Sequence, residues 1–190
     1  MHILIITAHP SPLGHTHRLA NAYKESAEKA GHTVEVIDLY TSEYQLPFLT
    51  YTSTNVDTND YPDLPVRAWH QSRVSNADEV VIVHPMWWGV MPAILKNWCD
   101  NVLTRGFGFT VENGKYKGLL SPRRARVIVT SGAPAWLYWI LLMPLRTIWN
   151  QLTLGFCGFK FASFTLFGSM SDKSEEEFAK DLEQVRALIS

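Results

Sequence analysis

A three-layer α/β fold, a doubly wound five-stranded parallel sheet of spatial order 2-1-3-4-5, is what this 190-residue sequence predicts, on three observations. Short runs rich in Val and Ile alternate with segments of helical period, the pattern of a parallel sheet covered by helices on both faces. Those runs are nearly continuous in apolar residues instead of alternating with polar ones, as strands buried on both sides are. The length is about 1.3 times that of an ordinary domain, so residues 1–190 are expected to form a single domain.

Four runs read as buried strands: His2 to Thr7, Thr33 to Asp38, Glu79 to His84 and Arg126 to Ser131. A fifth, Lys160 to Phe167, is more aromatic. Between the first two, Leu19, Tyr23, Ala27 and Ala30 share a helical face, and Gly31 stands where a helix C-terminus needs a left-handed residue. Residues 41–62 are polar and turn-rich and read as a surface loop; 63–76 reads as a helix. After the third run, Pro92 suits the first turn of a helix whose Ile94, Trp98 and Val102 fall on an i, i+4, i+8 stripe, with Gly106 beyond its end. At the C-terminus, Ser174 and Glu177 have capping-box spacing ahead of Phe178, Leu182, Val185 and Ile189 on one face. Right-handed crossovers between five such strands leave the flavodoxin-like arrangement as the simplest topology.

Composition excludes several function classes. Lys+Arg 17 against Asp+Glu 18 gives a net charge of −1, so no global field draws in nucleic acid or an anionic membrane. Two cysteines, Cys99 and Cys157, are too few for a disulfide framework or zinc cluster, and a reduced, cytoplasmic protein is expected. The apolar stretch Ala135 to Leu145 is broken by Pro144 and closed by Arg146, well short of the ~20 residues of a membrane span. It is expected to be a helix buried against the core or a subunit partner. Of seven tryptophans, six lie between Trp87 and Trp149. Arg123, Arg124 and Arg126 read as a solvated turn, and His70 and His84 as structural.

Ligands of such sheets bind beyond the carboxyl ends of the strands, which singles out three loops. The first, Ala8 to His17, carries His9, His15, His17, Ser11, Thr16 and Gly14 directly before a helix N-terminus, a natural place for a phosphate. It has neither the dinucleotide GxGxxG nor a P-loop Lys, and without a carboxylate or Cys its histidines make no convincing metal site. The second, Pro85 to Met91, sets Trp87 and Trp88 side by side before Gly89; two such rings cannot both point inward, so one is expected to face a planar ligand. The third places the small residues Gly132 and Ala133 after Ser131, and then the phenol of Tyr138. Phosphate, flat apolar wall and close backbone donors together describe a flavin nucleotide site. A generic nucleotide site or a non-catalytic domain is the other reading of the same spacing.

The stretch Pro85-Met86-Trp87-Trp88-Gly89-Val90-Met91-Pro92-Ala93-Ile94-Leu95-Lys96-Asn97-Trp98 is similar to the P-x-x-W-x-x-x-P-A-x-L-K-x-W segment of the flavodoxin-like NAD(P)H:quinone oxidoreductases, the DT-diaphorase-like flavoproteins. Ala8-His9-Pro10, Asp38-Leu39-Tyr40, Gly106-Phe107-Gly108-Phe109 and Cys157-Gly158-Phe159 extend the resemblance over most of the chain. It implies FAD or FMN as cofactor, NAD(P)H as electron donor, a small-molecule acceptor such as a quinone, a ping-pong two-electron reaction and a homodimer. Position by position it implies cofactor contacts from His9, Ser11, His15, Thr16 and His17, from Pro85, Met86, Trp87, Trp88 and Gly89, and from Ser131, Gly132 and Ala133. Tyr138 matches a tyrosine that assists charge changes on the reduced flavin, and Phe107 and Phe109 would wall the substrate pocket. The chain departs from the family at Thr16, where relatives often carry Asn, and in Trp139-Ile140-Leu141-Leu142-Met143-Pro144, which lacks the histidine that follows the tyrosine. A second pocket tyrosine is replaced by Phe109 or Val111. Because some relatives act as ancillary subunits of ion-efflux systems, a regulatory flavoprotein is one alternative. A flavodoxin-type electron carrier is another, although such carriers are usually strongly acidic.

Overall fold

The computed structural model describes residues 1–49, 64–141 and 144–189. Five strands, β1 (His2–Thr7), β2 (Thr33–Asp38), β3 (Glu79–Pro85), β6 (Arg124–Thr130) and β7 (Lys160–Phe167), form one parallel sheet in the order β2-β1-β3-β6-β7. This is the expected flavodoxin-like topology. An antiparallel hairpin, β4 (Phe109–Glu112) and β5 (Lys115–Gly118), is inserted before β6. No expectation covered it. Its Asn113-Gly114 turn has two positive φ values, 53° and 74°, as two-residue hairpin turns favour.

Side chains leave successive strand residues on opposite faces, and the continuous apolar runs therefore build two cores at once. Leu4, Ile6, Val80, Ile82, Val127 and Val129 face one layer; Ile3, Ile5, Val81, Val83 and Ile128 face the other. The second layer is closed by α1 (His15–Lys29), through Leu19, Tyr23 and Ala27, and by α6 (Glu175–Arg186), through Phe178 and Val185. The capping box is formed: Ser174 Oγ accepts from the Glu177 amide at 3.2 Å, and Glu177 Oε2 accepts from the Ser174 amide at 2.9 Å. The first layer is closed by α2 (Pro65–Asn76) and α3 (Ala93–Val102), with Val74, Leu95 and Trp98 buried.

Several expectations are corrected. Residues 41–49 lie at the surface as expected, with a single 3-10 turn at Ser42–Tyr44, but buried polar side chains of the helices hold their carbonyls. His70 Nε2 donates to Tyr44 O at 2.9 Å, Asn97 Nδ2 to Leu46 O at 2.8 Å and Asn101 Nδ2 to Pro47 O at 3.1 Å. The loop expectation over 50–62, and residue 63 of the expected helix, lie outside the described residues. The strand expected from Arg126 begins at Arg124, whose amide donates to Asp78 O. Arg126 is not solvated: its Nε lies 3.1 Å from Glu79 Oε1 in a buried ion pair, its Nη1 donates to Ser163 Oγ at 3.0 Å, and Tyr23 Oη reaches Glu79 Oε2 at 3.4 Å. Burial, with the Glu79 carboxylate second, pushes the Tyr23 phenol up to about 12.

The apolar stretch is only partly buried against its own core: Leu145 is buried and Tyr138 packs on the core, but residues 135–141 include no buried residue. It forms α4 (Ala135–Ile140), none of whose residues is buried, and, beyond 142–143, α5 (Pro144–Thr147) running into a π turn at Ile148–Thr153. Trp136, Trp139, Ile140 and Leu141 are exposed, whereas Trp149, a few residues on, is fully buried. No helix among the described residues is long and apolar enough to cross a membrane.

Candidate functional site

The loops after β1, β3 and β6, joined by the loop after β7, surround a cavity of about 360 Å³ at the carboxyl end of the sheet. Its walls are His9, Ser11, Gly14, His15 and Thr16; Pro85, Met86 and Trp87; Thr130, Ser131 and Gly132; and Met170 and Ser171. A volume of that size is in the range of small-molecule sites. A larger cleft of about 690 Å³ opens at the other end of the sheet, around Ser75, Asp78, Ser121, Arg123 and Arg124. Among the described residues lining these two, the carboxyl-end cavity is the one onto which the N-terminus of a long helix opens.

That helix is α1. Gly14 at its N-cap has no side chain to bond the first-turn amides, and no acidic residue lies in the first turn. The unpaired N–H groups and the positive end of the dipole are thus left for an anion. A side chain at Gly14 would also crowd the loop. A Cβ there would lie 3.0 Å from the His9 ring and 3.2 Å from the Ser11 carbonyl oxygen. His9 Nδ1 lies 3.1 Å from the Ser11 amide nitrogen and 3.2 Å from the Ser11 carbonyl oxygen, so the ring finds a partner in the loop in either tautomer. His17 braces the loop from behind: its Nε2 donates to His9 O at 3.0 Å, 3.9 Å from Asp38 Oδ2, and the ring does not line the cavity. His15 lines it and packs edge-on against Phe178 with centroids 4.5 Å apart; burial, with Arg18 second, holds its imidazole below the ordinary value. Thr16 Oγ1 and Thr130 Oγ1 share a buried hydrogen bond of 3.0 Å that ties α1 to β6.

The second loop is a two-residue turn. Trp87 and Val90 exchange backbone hydrogen bonds of 3.0 Å, and Trp88 and Gly89 between them have φ of 52° and 78°, the type I′ pattern. A tryptophan at positive φ costs about 1–3 kcal/mol, strain of the kind that collects at functional sites. The turn divides the two rings. Trp87 lines the cavity, 6.2 Å from the His9 ring, while Trp88 is fully exposed and does not line it. In the third loop, Ser131 N–H donates to Phe167 O at 2.9 Å and Ser131 Oγ to Ala133 O at 2.6 Å. Backbone donation from this loop to a ligand therefore falls to Gly132 and Ala133.

Of the residues singled out in the sequence, His9, Ser11, His15, Thr16, Pro85, Met86, Trp87, Ser131 and Gly132 meet around one cavity; His17, Trp88, Gly89, Ala133 and Tyr138 are not among its lining residues. Tyr138 is half-buried and packs against the core. Phe107 does likewise, and Phe109 lines a separate 250 Å³ cavity with Cys99, Leu152, Phe156 and Cys157. Burial pushes both thiols up, Cys157 to about 12, so neither is a thiolate at neutral pH. Sequence reasoning missed Thr130, Met170 and Ser171. The rule that directed attention to three carboxyl-end loops applies equally to the loop after the last strand, which supplies two of them.

An uncapped helix N-terminus, a glycine that a Cβ would jam and an indole across the gap fit a phosphate joined to a flat ring. The chain belongs to the family described as having a flavodoxin-like fold, which it matches over residues 1–189. It is 31% identical to the ribosyldihydronicotinamide dehydrogenase (quinone) of Mus musculus, over 92% of this chain and 84% of that protein. Among solved structures, an NAD(P)H:quinone oxidoreductase from Methanothermobacter marburgensis superposes with a TM-score of 0.83 at 24% identity, covering 100% of this chain and 98% of the other. An FMN-dependent NADH-azoreductase from Bacillus anthracis, in complex with FMN, superposes with a TM-score of 0.73 at 19% identity, covering 99% and 97%. At those identities the two structures establish the shared fold.

Proposed function

We propose that this chain is a flavin-dependent NAD(P)H oxidoreductase that reduces a quinone or similar small-molecule acceptor by two electrons in a ping-pong cycle. The observation that carries the reading is the empty N-cap of α1 at Gly14, facing Trp87 across the carboxyl-end cavity. The overall balance is NAD(P)H plus acceptor plus a proton giving NAD(P)⁺ and the two-electron-reduced, doubly protonated acceptor. Bound flavin, as FAD or FMN, would supply hydride acceptance and two-electron donation in turn.

The first-turn amides of α1, with His9, Ser11, His15 and Thr16, hold the phosphate. Pro85, Met86 and Trp87 orient the ring and keep water from one face of it. Gly132 and Ala133 amides would stabilise negative charge on the reduced ring, and Tyr138 would donate its hydroxyl to the same end. The exposed apolar residues Trp136, Trp139, Ile140, Leu141 and Leu152 are covered by a second copy of the chain, giving a homodimer. A cytoplasmic setting accompanies this reading, with both cysteines as free thiols.

The test is an absorption spectrum of the purified protein, with mass spectrometry of the released chromophore to distinguish FMN from FAD. Flavin bands, and NAD(P)H-driven reduction of a quinone or dye, are expected. A protein that neither carries nor accepts flavin overturns the reading. Tyr138→Phe should lower turnover more than flavin affinity, and equal losses would remove its assigned role. Light scattering should report a dimer; a monomer would favour an ancillary subunit awaiting a different partner.

A further inference from the structure

Trp149 belongs to the apolar segment by sequence but to the core by structure, and its burial has a local cause. The π turn at Ile148–Thr153 widens the helix by one residue, and the Leu154 amide bonds to the Trp149 carbonyl, five residues back, at 2.9 Å. Gly155 permits this, since a Cβ there would lie 1.9 Å from the Asn150 carbonyl oxygen. Leu152 is thereby left facing solvent while the Trp149 indole turns inward, under the second loop of the site. Single π turns inside helices recur at functional sites.

Within the core the indole meets His84, and both side chains are completely buried. Trp149 Nε1–H donates to His84 Nε2 at 3.0 Å, so the imidazole proton is on Nδ1, which donates to the Pro85 carbonyl at 2.8 Å. Pro85 has no N–H with which to bond into the sheet. The side-chain chain from Trp149 through His84 supplies an anchor at that peptide instead. From there the backbone continues into Met86, whose amide donates to Thr130 O at 2.7 Å, and into Trp87 of the I′ turn. Val80, Val81, Ile82 and Val83, which precede His84 in β3, are all apolar. An apolar pair in place of His84 and Trp149 would fill the same space with no polar side chain to satisfy, at the cost of the donor to the buried Pro85 carbonyl.

We infer that His84 and Trp149 are positioning residues: the Trp149–His84–Pro85 hydrogen-bond chain fixes the ring-facing wall Pro85–Trp87 relative to the exposed apolar segment of α4, α5 and the π turn. The inference deepens the proposed function and rests on it for the identity of the ligand alone. Rearrangement of the apolar face, as when a second copy covers it, would then reach the wall through two buried hydrogen bonds.

The test uses the full chain as wild type, W149F and H84F/W149F. W149F leaves His84 Nε2 without a donor and should lower Tm. The double variant removes both polar partners and should restore much of that loss. Amide exchange at Met86 and Trp87, measured without flavin, should nonetheless be about tenfold faster in the double variant than in wild type, and the Kd for added FMN about tenfold higher. A double variant that recovers Tm together with wild-type exchange and wild-type Kd overturns the inference, because the pair would then serve packing only. Should the double variant stay unstable, W149F at low temperature decides by the same two readouts: faster exchange at Met86 and Trp87 than at core amides of β1 supports the chain, and a uniform change overturns it. In wild type, ¹⁵N spectra should show His84 as the Nδ1–H tautomer; an Nε2–H ring overturns the inference outright. Wild-type protein that binds no flavin defeats the proposed function and leaves the exchange result standing.

Discussion

The two ends of the parallel sheet handle polar groups in opposite ways. At the amino end most of them are paired with one another: Arg126 with Glu79 and Ser163, Tyr23 with Glu79, the His2 amide with Asp78 at 2.7 Å, and Arg123 Nη2 with Ser75 O at 2.6 Å, while Arg123 Nε is buried without a partner. At the carboxyl end, α1 is uncapped, Trp88 is held at positive φ, and the indole of Trp87 faces a cavity. The comparison teaches that polarity alone does not mark a site. Both ends are polar, and the larger cleft belongs to the amino end. An uncapped helix N-terminus, with backbone strain beside it, is what singles out the end that binds.

Substitutions at the amino end should therefore cost stability and leave binding intact, with the reverse at the carboxyl end. The largest effect is expected from Arg126→Ala, which strands the buried Glu79 carboxylate and should cost about 3–5 kcal/mol in denaturant unfolding. Flavin Kd should be unchanged wherever the variant is folded; a Kd that rises in step would break the division.

Acid should act next. His84, fully buried, has its imidazole lowered by desolvation from 6.5 to about 4, so it stays neutral where the same residue in the unfolded chain takes up a proton. The unfolded state binds more protons between those values, and stability is lost as pH falls from 6.5 towards 4, by about 3 kcal/mol from this residue. His70, lowered by burial as well, contributes in the same direction. The difference between wild type and H84F/W149F in urea unfolding at several pH values isolates the His84 part, and parallel profiles would show that the ring is not held neutral.

Gly14→Val should raise flavin Kd about tenfold, or about 1.4 kcal/mol, by crowding the His9 ring, with little change in Tm. An unaltered Kd would mean that the phosphate does not enter at α1. The smallest effect is expected from Trp88→Asn, which accepts positive φ more readily and should stabilise the fold by about 1 kcal/mol. If turnover also falls, the exposed indole contributes to acceptor binding.

Much of this arrangement was legible in the sequence, because it follows from local period. The apolar runs from His2, Thr33, Glu79 and Lys160 begin where the strands begin, and Gly31 and Ser174 mark a helix end and a helix start. The three loops were legible too, since the strand order dictates which chain ends converge. Arg126 was misread because three arginines in a turn-like context look solvated until the strand pairing aligns Glu79 with Arg124 and brings the carboxylate within reach of Arg126. Met170 and Ser171 carry no motif, and only the position of β7 beside β6 brings them to the cavity.

The tryptophans draw the same line most sharply. Sequence by itself determined the sheet, its two apolar layers and the crowding of aromatic residues near a ligand end, because burial on both faces demands continuous apolar strands. Tertiary structure alone decided which ring does what. Trp87 and Trp88 are adjacent in the chain and yet divided by a turn with two positive φ values, and Trp149 parts from Trp136 and Trp139 because one π turn rotates it inward onto His84. Side-chain direction depends on backbone dihedrals that neighbouring packing selects, and no count or spacing of residues contains that information.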